Sequence, residues 1–260
     1  MNYFDRLPIE LLHEIAGDSE PAYKALLAYS RFARAVTYDK RLDYMIDFGH
    51  DVHVSNKCIV WSRNGKTHRR GISAMIYASG SQFWYQDGKI HRDDEPAIIY
   101  MDGEQRWYQN GKMHRDDGPA LIYKNGEQWW YRNDLEHRDD GPAVIYASGT
   151  HHWYQTGKLH RDDGPALIYK DGEQRWYRNG KLHRDDGPAI ILANGKQWWY
   201  CNGLAHRDDG PAVIYANNAR WWYRNGKLHR DDGPAIICEN GSQWWYCNGI
   251  STDKCSSEGL

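Results

Sequence analysis

Histidine, arginine and a pair of aspartates stand together again and again in this chain, and each of those side chains can do chemistry. An imidazole beside carboxylates can pass protons or bind zinc, and paired carboxylates can bind calcium. The His-Arg pairs are His68-Arg69, His91-Arg92, His114-Arg115, His137-Arg138, His160-Arg161, His183-Arg184, His206-Arg207 and His229-Arg230, each 23 residues after the last. Spacing argues against a metal. Equivalent histidines in stacked units would stand roughly 10 Å apart, or two strand spacings, whereas donor atoms around one zinc lie about 3 to 3.5 Å apart. The five cysteines, Cys58, Cys201, Cys238, Cys247 and Cys255, follow no matching period. One Asp pair supplies too few oxygens for calcium, which takes about six to eight. A catalytic centre needs one asymmetric constellation in a concave pocket, and here every candidate recurs. These residues therefore predict no catalytic residue, no metal and no cofactor. The arginine should instead form charge-assisted bonds to the Asp pair, and the histidine should bond a turn carbonyl.

A fixed period in the range of about 20 to 50 residues marks one supersecondary unit stacked many times. Each unit reads approximately His-Arg-Asp-Asp-Gly-Pro-Ala-x-Ile-Tyr-x-x-Gly-x-Gln-x-Trp-Tyr-x-Asn-Gly-Lys-x. Asn-Gly and Asp-Gly close tight turns because both residues tolerate positive φ. They occur here at Asp87-Gly88, Asp102-Gly103, Asn110-Gly111, Asn125-Gly126, Asp171-Gly172, Asn179-Gly180, Asn194-Gly195, Asn202-Gly203 and Asn225-Gly226. Between them lie strand-like runs such as Ala120-Leu121-Ile122-Tyr123 and Gln128-Trp129-Trp130-Tyr131. The pattern predicts a mainly β fold: an elongated, single-layer antiparallel meander of eight 23-residue hairpin repeats, two strands to each. With strands about 4.8 Å apart, such an array is on the order of 75 Å long. The Trp slot (Trp84, Trp107, Trp130, Trp153, Trp176, Trp199, Trp222, Trp245) and the Ile slot (Ile76, Ile99, Ile122, Ile145, Ile168, Ile191, Ile214, Ile237) should form the core ladders.

This unit resembles the MORN repeat and its variants, which share the 23-residue period, the Asn-Gly-Lys-x-His run and a Tyr/Trp-rich hairpin. The likeness runs from Trp61 to Asn248. In place of the glycine that directly follows histidine in the standard repeat, this chain has Arg-Asp-Asp-Gly-Pro. Some members of that family bind membrane lipid, which the resemblance adds as an alternative role.

Residues before about position 50 follow a different grammar. Apolar residues recur at helical spacing, Leu7, Leu11, Leu12 and Ile15, then Leu26, Leu27, Phe32, Ala33 and Val36. Pro8 suits a first helical turn, and Gly17-Asp18 stops the helix. The expected domains are a helical head over 1–50, a linker over 51–57, the β-repeat array over 58–250 and a flexible tail over 251–260. The head is similar to an F-box, with Leu7, Pro8, Leu11, Leu12 and Ile15 on the motif's leading helix. That family binds Skp1 and so attaches a substrate receptor to a cullin-RING ubiquitin ligase. A head of this kind joined to MORN-like repeats is similar to proteins of giant DNA viruses of protists.

Bulk composition narrows the partners. The chain has 260 residues, a net charge of −2, 40% hydrophobic residues and no apolar run long enough to span a bilayer. With 33 Lys and Arg against 35 Asp and Glu, it lacks the cationic excess that drives phosphate-backbone binding, so nucleic acid is not an expected partner, nor is a membrane. Asp5, Glu10 and Glu14 interrupt the first apolar stretch, which argues against a secretory signal and for a cytoplasmic or nuclear setting with reduced thiols. Recognition should reside where the units differ. The slot before the repeated Trp reads Phe83, Arg106, Trp129, His152, Arg175, Trp198, Trp221 and Trp244, opposite that Trp and alongside the repeated Tyr. Aromatic and Arg side chains are enriched at interface hot spots. The expected function is an adaptor, with Skp1 on the head and an unknown protein target on this row. Self-association as a structural protein is the alternative.

Overall fold

A computed structural model of the protein describes residues 51–54 and 57–252. The helical head, with Leu7, Pro8, Leu11, Leu12 and Ile15, lies outside the described residues. The chain divides into two compact units, Met1–Asp134 and Leu135–Leu260. The described residues of both are short antiparallel strands joined by turns, with no helix. Asp51–Val54, in the stretch expected to link head and array, pairs with Cys58–Arg63 as the first strand. Ile250–Thr252, at the start of the expected tail, pairs with Gln243–Cys247.

Each unit carries a meander in which every strand pairs with the one before and the one after. In the first, Ile98–Ile99 pairs with Gln105–Arg106, which pairs in turn with Leu121–Ile122 of the next repeat, and so to Gln128–Trp129. In the second, the same relay runs from Val144–Ile145 to Gln243–Cys247. The mainly β meander is as the pattern predicts, but the strand count per repeat is not. Each repeat contributes two strands to the meander and then a separate two-stranded ribbon, for example Tyr108–Gln109 with Lys112–Met113. The repeated Trp sits between the two parts: the Trp107 N–H donates to the Ala120 carbonyl 2.7 Å away in the next repeat, and the His114 N–H donates to the Trp107 carbonyl at 3.2 Å.

The two turns of a repeat differ in kind. At Asn110-Gly111 both residues have positive φ, 53° and 82°, as a two-residue hairpin requires. At Asp102-Gly103 only the glycine does, at 97°. There the Gly103 N–H donates to the Tyr100 carbonyl and the Tyr100 N–H to the Glu104 carbonyl. This is a three-residue loop closed by a left-handed glycine, and the Asp102 carboxylate accepts the Glu104 N–H at 3.1 Å. Asn125-Gly126 closes the same three-residue loop, so the dipeptide of Asn110-Gly111 serves two geometries.

The deepest side chains sit one and two places before the expected Ile slot. Ala97, Ala120, Ala166, Ala189, Ala212 and Ala235 are fully buried, and Ile98, Leu121, Val144, Leu167, Ile190 and Val213 nearly so. In the Ile slot only Ile76 is buried, and Ile99, Ile122, Ile145, Ile168, Ile191, Ile214 and Ile237 are half-buried. Each of these alanines also accepts, through its carbonyl, the N–H of the repeated Trp, so the fully buried position lies where successive repeats are joined.

Candidate functional site: a variable row in a fixed frame

The frame is made of the side chains that looked reactive. In every repeat the histidine Nδ1 accepts the N–H of the first residue of the following tight turn, from Asp87 to His68 through Asn248 to His229, at 3.0 to 3.3 Å. The expected turn carbonyl is corrected to a turn N–H, because a ring nitrogen that accepts leaves its partner nitrogen to donate. From His91 onward Nε2 faces the first aspartate, as in His91 to Asp93 at 3.0 Å and His229 to Asp231 at 2.9 Å. One neutral tautomer satisfies both contacts.

Arginine takes the second aspartate, as expected. Arg115 Nε donates to Asp117 at 2.9 Å, and Arg138, Arg161, Arg184, Arg207 and Arg230 repeat the contact at 2.8 Å. Hydrogen bonding and charge from those guanidinium groups hold Asp117, Asp140, Asp163, Asp186, Asp209 and Asp232 below the usual carboxylate range. The same guanidinium lies over the repeated Trp, Arg161 over Trp153 at 4.2 Å and Arg184 over Trp176 at 4.1 Å, and donates to the carbonyl of the following proline. Glycine completes the seat: a Cβ on Gly118 would lie 2.9 Å from Arg115 Cζ. Where Glu95 replaces that glycine, its carboxylate pairs with Arg92, which keeps its place 4.0 Å over Trp84. Among the described residues no three His, Cys, Asp or Glu side chains gather as a metal site would need.

The row that varies lies on the meander strands. Arg106 stands directly opposite Ile98 and Leu121, and Trp198 opposite Ile190 and Val213, so these side chains share a face with the buried apolar positions. Phe83, Arg106, Trp129, His152, Arg175, Trp198 and Trp221 are half-buried, and Trp244 is 45% exposed. As alternation predicts, the row runs beside the repeated Tyr two places on, Trp129 at 6.2 Å from Tyr131 and His152 at 6.3 Å from Tyr154. It also meets the tyrosines after the Ile slot, Phe83 at 5.2 Å from Tyr77 and His152 at 4.9 Å from Tyr146. Burial, and next the neighbouring His151, push the His152 imidazole below its ordinary pKa.

Pattern reading missed the residues two places before the row. Glu104 accepts Arg106 Nε and Glu173 accepts Arg175 Nε, both at 2.5 Å, while the Lys196 ammonium lies 4.4 Å over Trp198 and 4.0 Å over Tyr215. The signal was present in the copies, since glutamate precedes arginine twice and lysine precedes Trp198. Residues two apart on an extended strand share a face, so the two slots act as one. The site is therefore a recurring pair beside a tyrosine, filled with Glu and Arg in two repeats and with other combinations elsewhere. Among the described residues there is no helix long and apolar enough to cross a membrane. The sequence matches no protein-family model and no curated protein, so the likeness to F-box and MORN proteins rests on the residues and period set out above.

Proposed function

We propose that this chain is a non-enzymatic adaptor that holds a protein target on side chains of the variable row, Phe83, Arg106 and Trp129 in one unit or His152, Arg175, Trp198, Trp221 and Trp244 in the other, and a Skp1-like partner on residues Leu7, Pro8, Leu11, Leu12 and Ile15. One observation supports this reading above the others. In the frame, His, Arg and Asp satisfy one another in repeat after repeat, whereas the row holds Phe, Arg, Trp or His and leaves part of its aromatic surface exposed, most of all at Trp244. Chemistry that is bound up in identical contacts holds a fold together; side chains that vary on a constant frame discriminate partners.

A pull-down of purified Skp1-like adaptor on the full chain tests the first half. Wild type should retain it and Leu11→Asp/Leu12→Asp should lose it, because two charges on the apolar stripe remove the docking face. Absence of wild-type binding under conditions that retain an authentic F-box protein would remove the ubiquitin-ligase connection and leave the row to be explained alone.

A further inference from the structure

The last three members of the row are all tryptophan, and they lie within one compact unit. Trp198 stands opposite Val213, Val213 opposite Trp221, Trp221 opposite Ile236 and Ile236 opposite Trp244. Directly opposed residues point to the same side, so large and small side chains alternate along one line: indole, Val213, indole, Ile236, indole. Val213 and Ile236 are themselves buried between successive indoles, and Tyr215 packs 5.2 Å from Trp221. Tyr200 and Tyr223 extend the aromatic surface, at 6.1 Å from Trp198 and 6.5 Å from Trp221.

The spacing of these indoles selects an occupant. Successive indoles are two strands apart, about 9.6 Å. A polyproline II helix turns once in three residues of about 3.1 Å, or roughly 9.3 Å. Residues three apart on such a helix lie on one face, so successive prolines would stack against successive indoles with little accumulated mismatch. Proline rings against tryptophan and tyrosine are the contacts by which aromatic grooves capture such peptides, and the conformation is ordered before binding.

Charge settles the flank. Lys196 lies across Trp198 and Tyr215 at one end of the line, and no carboxylate of the described residues pairs with it. Elsewhere its slot holds glutamates, Glu104 and Glu173, that neutralise the row's arginines. The open cation therefore favours an acidic residue beside the prolines.

We propose that Trp198, Trp221 and Trp244, with Lys196 at one end, form a docking surface for a proline-rich segment in the polyproline II conformation with an acidic flank. This rests on the reading of the row as a target-binding surface and gives the target a chemistry.

The probe is a fluorescein-labelled peptide of Pro-Leu-Pro triplets ending in two glutamates, titrated against the full chain by anisotropy. Saturable binding is expected, weakened at least tenfold by Trp221→Arg, a side chain the same slot already carries at Arg106 and Arg175. Lys196→Glu keeps a residue the fold accepts at Glu104 and Glu173, and should weaken the glutamate-ended peptide while strengthening a lysine-ended one. Equal binding of a peptide with glycine in place of every proline overturns the proposal. So does binding of a soluble oligosaccharide with no binding of the peptide. If no peptide binds, yet partners captured from lysate are lost with Trp221→Arg, this inference fails and the target-binding reading stands. If capture is also indifferent to Trp221→Arg, both fall.

Discussion

Thr156 is a β-branched residue held at a φ of 50°. The equivalent position carries Asn64, Asp87, Asn110, Asn133, Asn179, Asn202, Asn225 or Asn248, all likewise at positive φ. Left-handed backbone crowds a Cβ against the following carbonyl, and a branched side chain suffers most, whereas asparagine relieves the crowding through local hydrogen bonds. The turn persists because the Thr156 N–H is fixed on His137 Nδ1 at 3.1 Å and Gly157 N–H on the Glu136 carbonyl at 2.9 Å. Thr156→Asn should therefore stabilise the chain by about 1 kcal/mol. Urea unfolding reads this as a higher midpoint with unchanged slope, and a midpoint equal to wild type would show that the threonine is not strained. Asp134, at a φ of 67° where other repeats have glycine, is a different case. Its carboxylate accepts the Met113 N–H at 2.7 Å, which offsets the strain, so no matching gain follows from Asp134→Gly.

At the scale of the repeating element, the decisive object is the layered seat of one guanidinium. Arg161 rests between the Trp153 ring and Gly164, where a Cβ would come 3.1 Å from its Cζ, while its edge donates to Asp163 and the Pro165 carbonyl. Lysine carries the charge but neither the plane nor the fork, so Arg161→Lys should cost about 1 to 2 kcal/mol through lost stacking and a lost bond to the Pro165 carbonyl. Asp163→Asn should cost less, because an exposed ion pair is screened by water. Paired urea curves decide it, and equal losses would reduce the seat to an ordinary surface ion pair. This element also shows where the sequence was readable. Period, turn dipeptides and the Arg–Asp pairing followed from residue type, since each has one geometry that suits it. The split of each repeat into a meander hairpin and a ribbon did not. Asn110-Gly111 and Asp102-Gly103 are the same signal, yet the first is a two-residue turn bonded to His91 and Ile90 of the preceding repeat and the second a three-residue loop closed by bonds within its own hairpin. The core shifted for a like reason: Ala97 and Ile98 are buried by neighbouring repeats, which hydrophobic alternation within one repeat does not register. The variable row was legible as a difference among copies, and Glu104 and Glu173 stand two places before its arginines on the same face, whereas the reach of Lys196 to Tyr215 of the next repeat needed the strand register.

Across the whole chain, one contact repeated many times becomes a bulk property, because the stability of repeat proteins is close to a sum of similar local terms. Asp117, Asp140, Asp163, Asp186, Asp209 and Asp232 are each held below the usual carboxylate range, first by hydrogen bonding to their arginine and next by its charge. A carboxyl whose pKa is depressed on folding releases its proton more readily when folded. Its contribution is then complete above the unfolded value of about 3.9 and is lost as the pH falls through the folded value. The urea midpoint should accordingly stay level for these groups from pH 7 to pH 5 and drop below about pH 4. Added salt should shrink the drop, since the carboxylates are fully exposed and their attraction to arginine is screened within about 10 Å at 0.1 M. The triple variant Asp117→Asn/Asp163→Asn/Asp209→Asn separates these pairs from general acid unfolding: it should begin less stable at pH 7 and lose less than wild type between pH 5 and pH 3. Parallel curves for variant and wild type over that interval would mean that the repeated Arg–Asp bonds position the turns without contributing to the acid response of the fold.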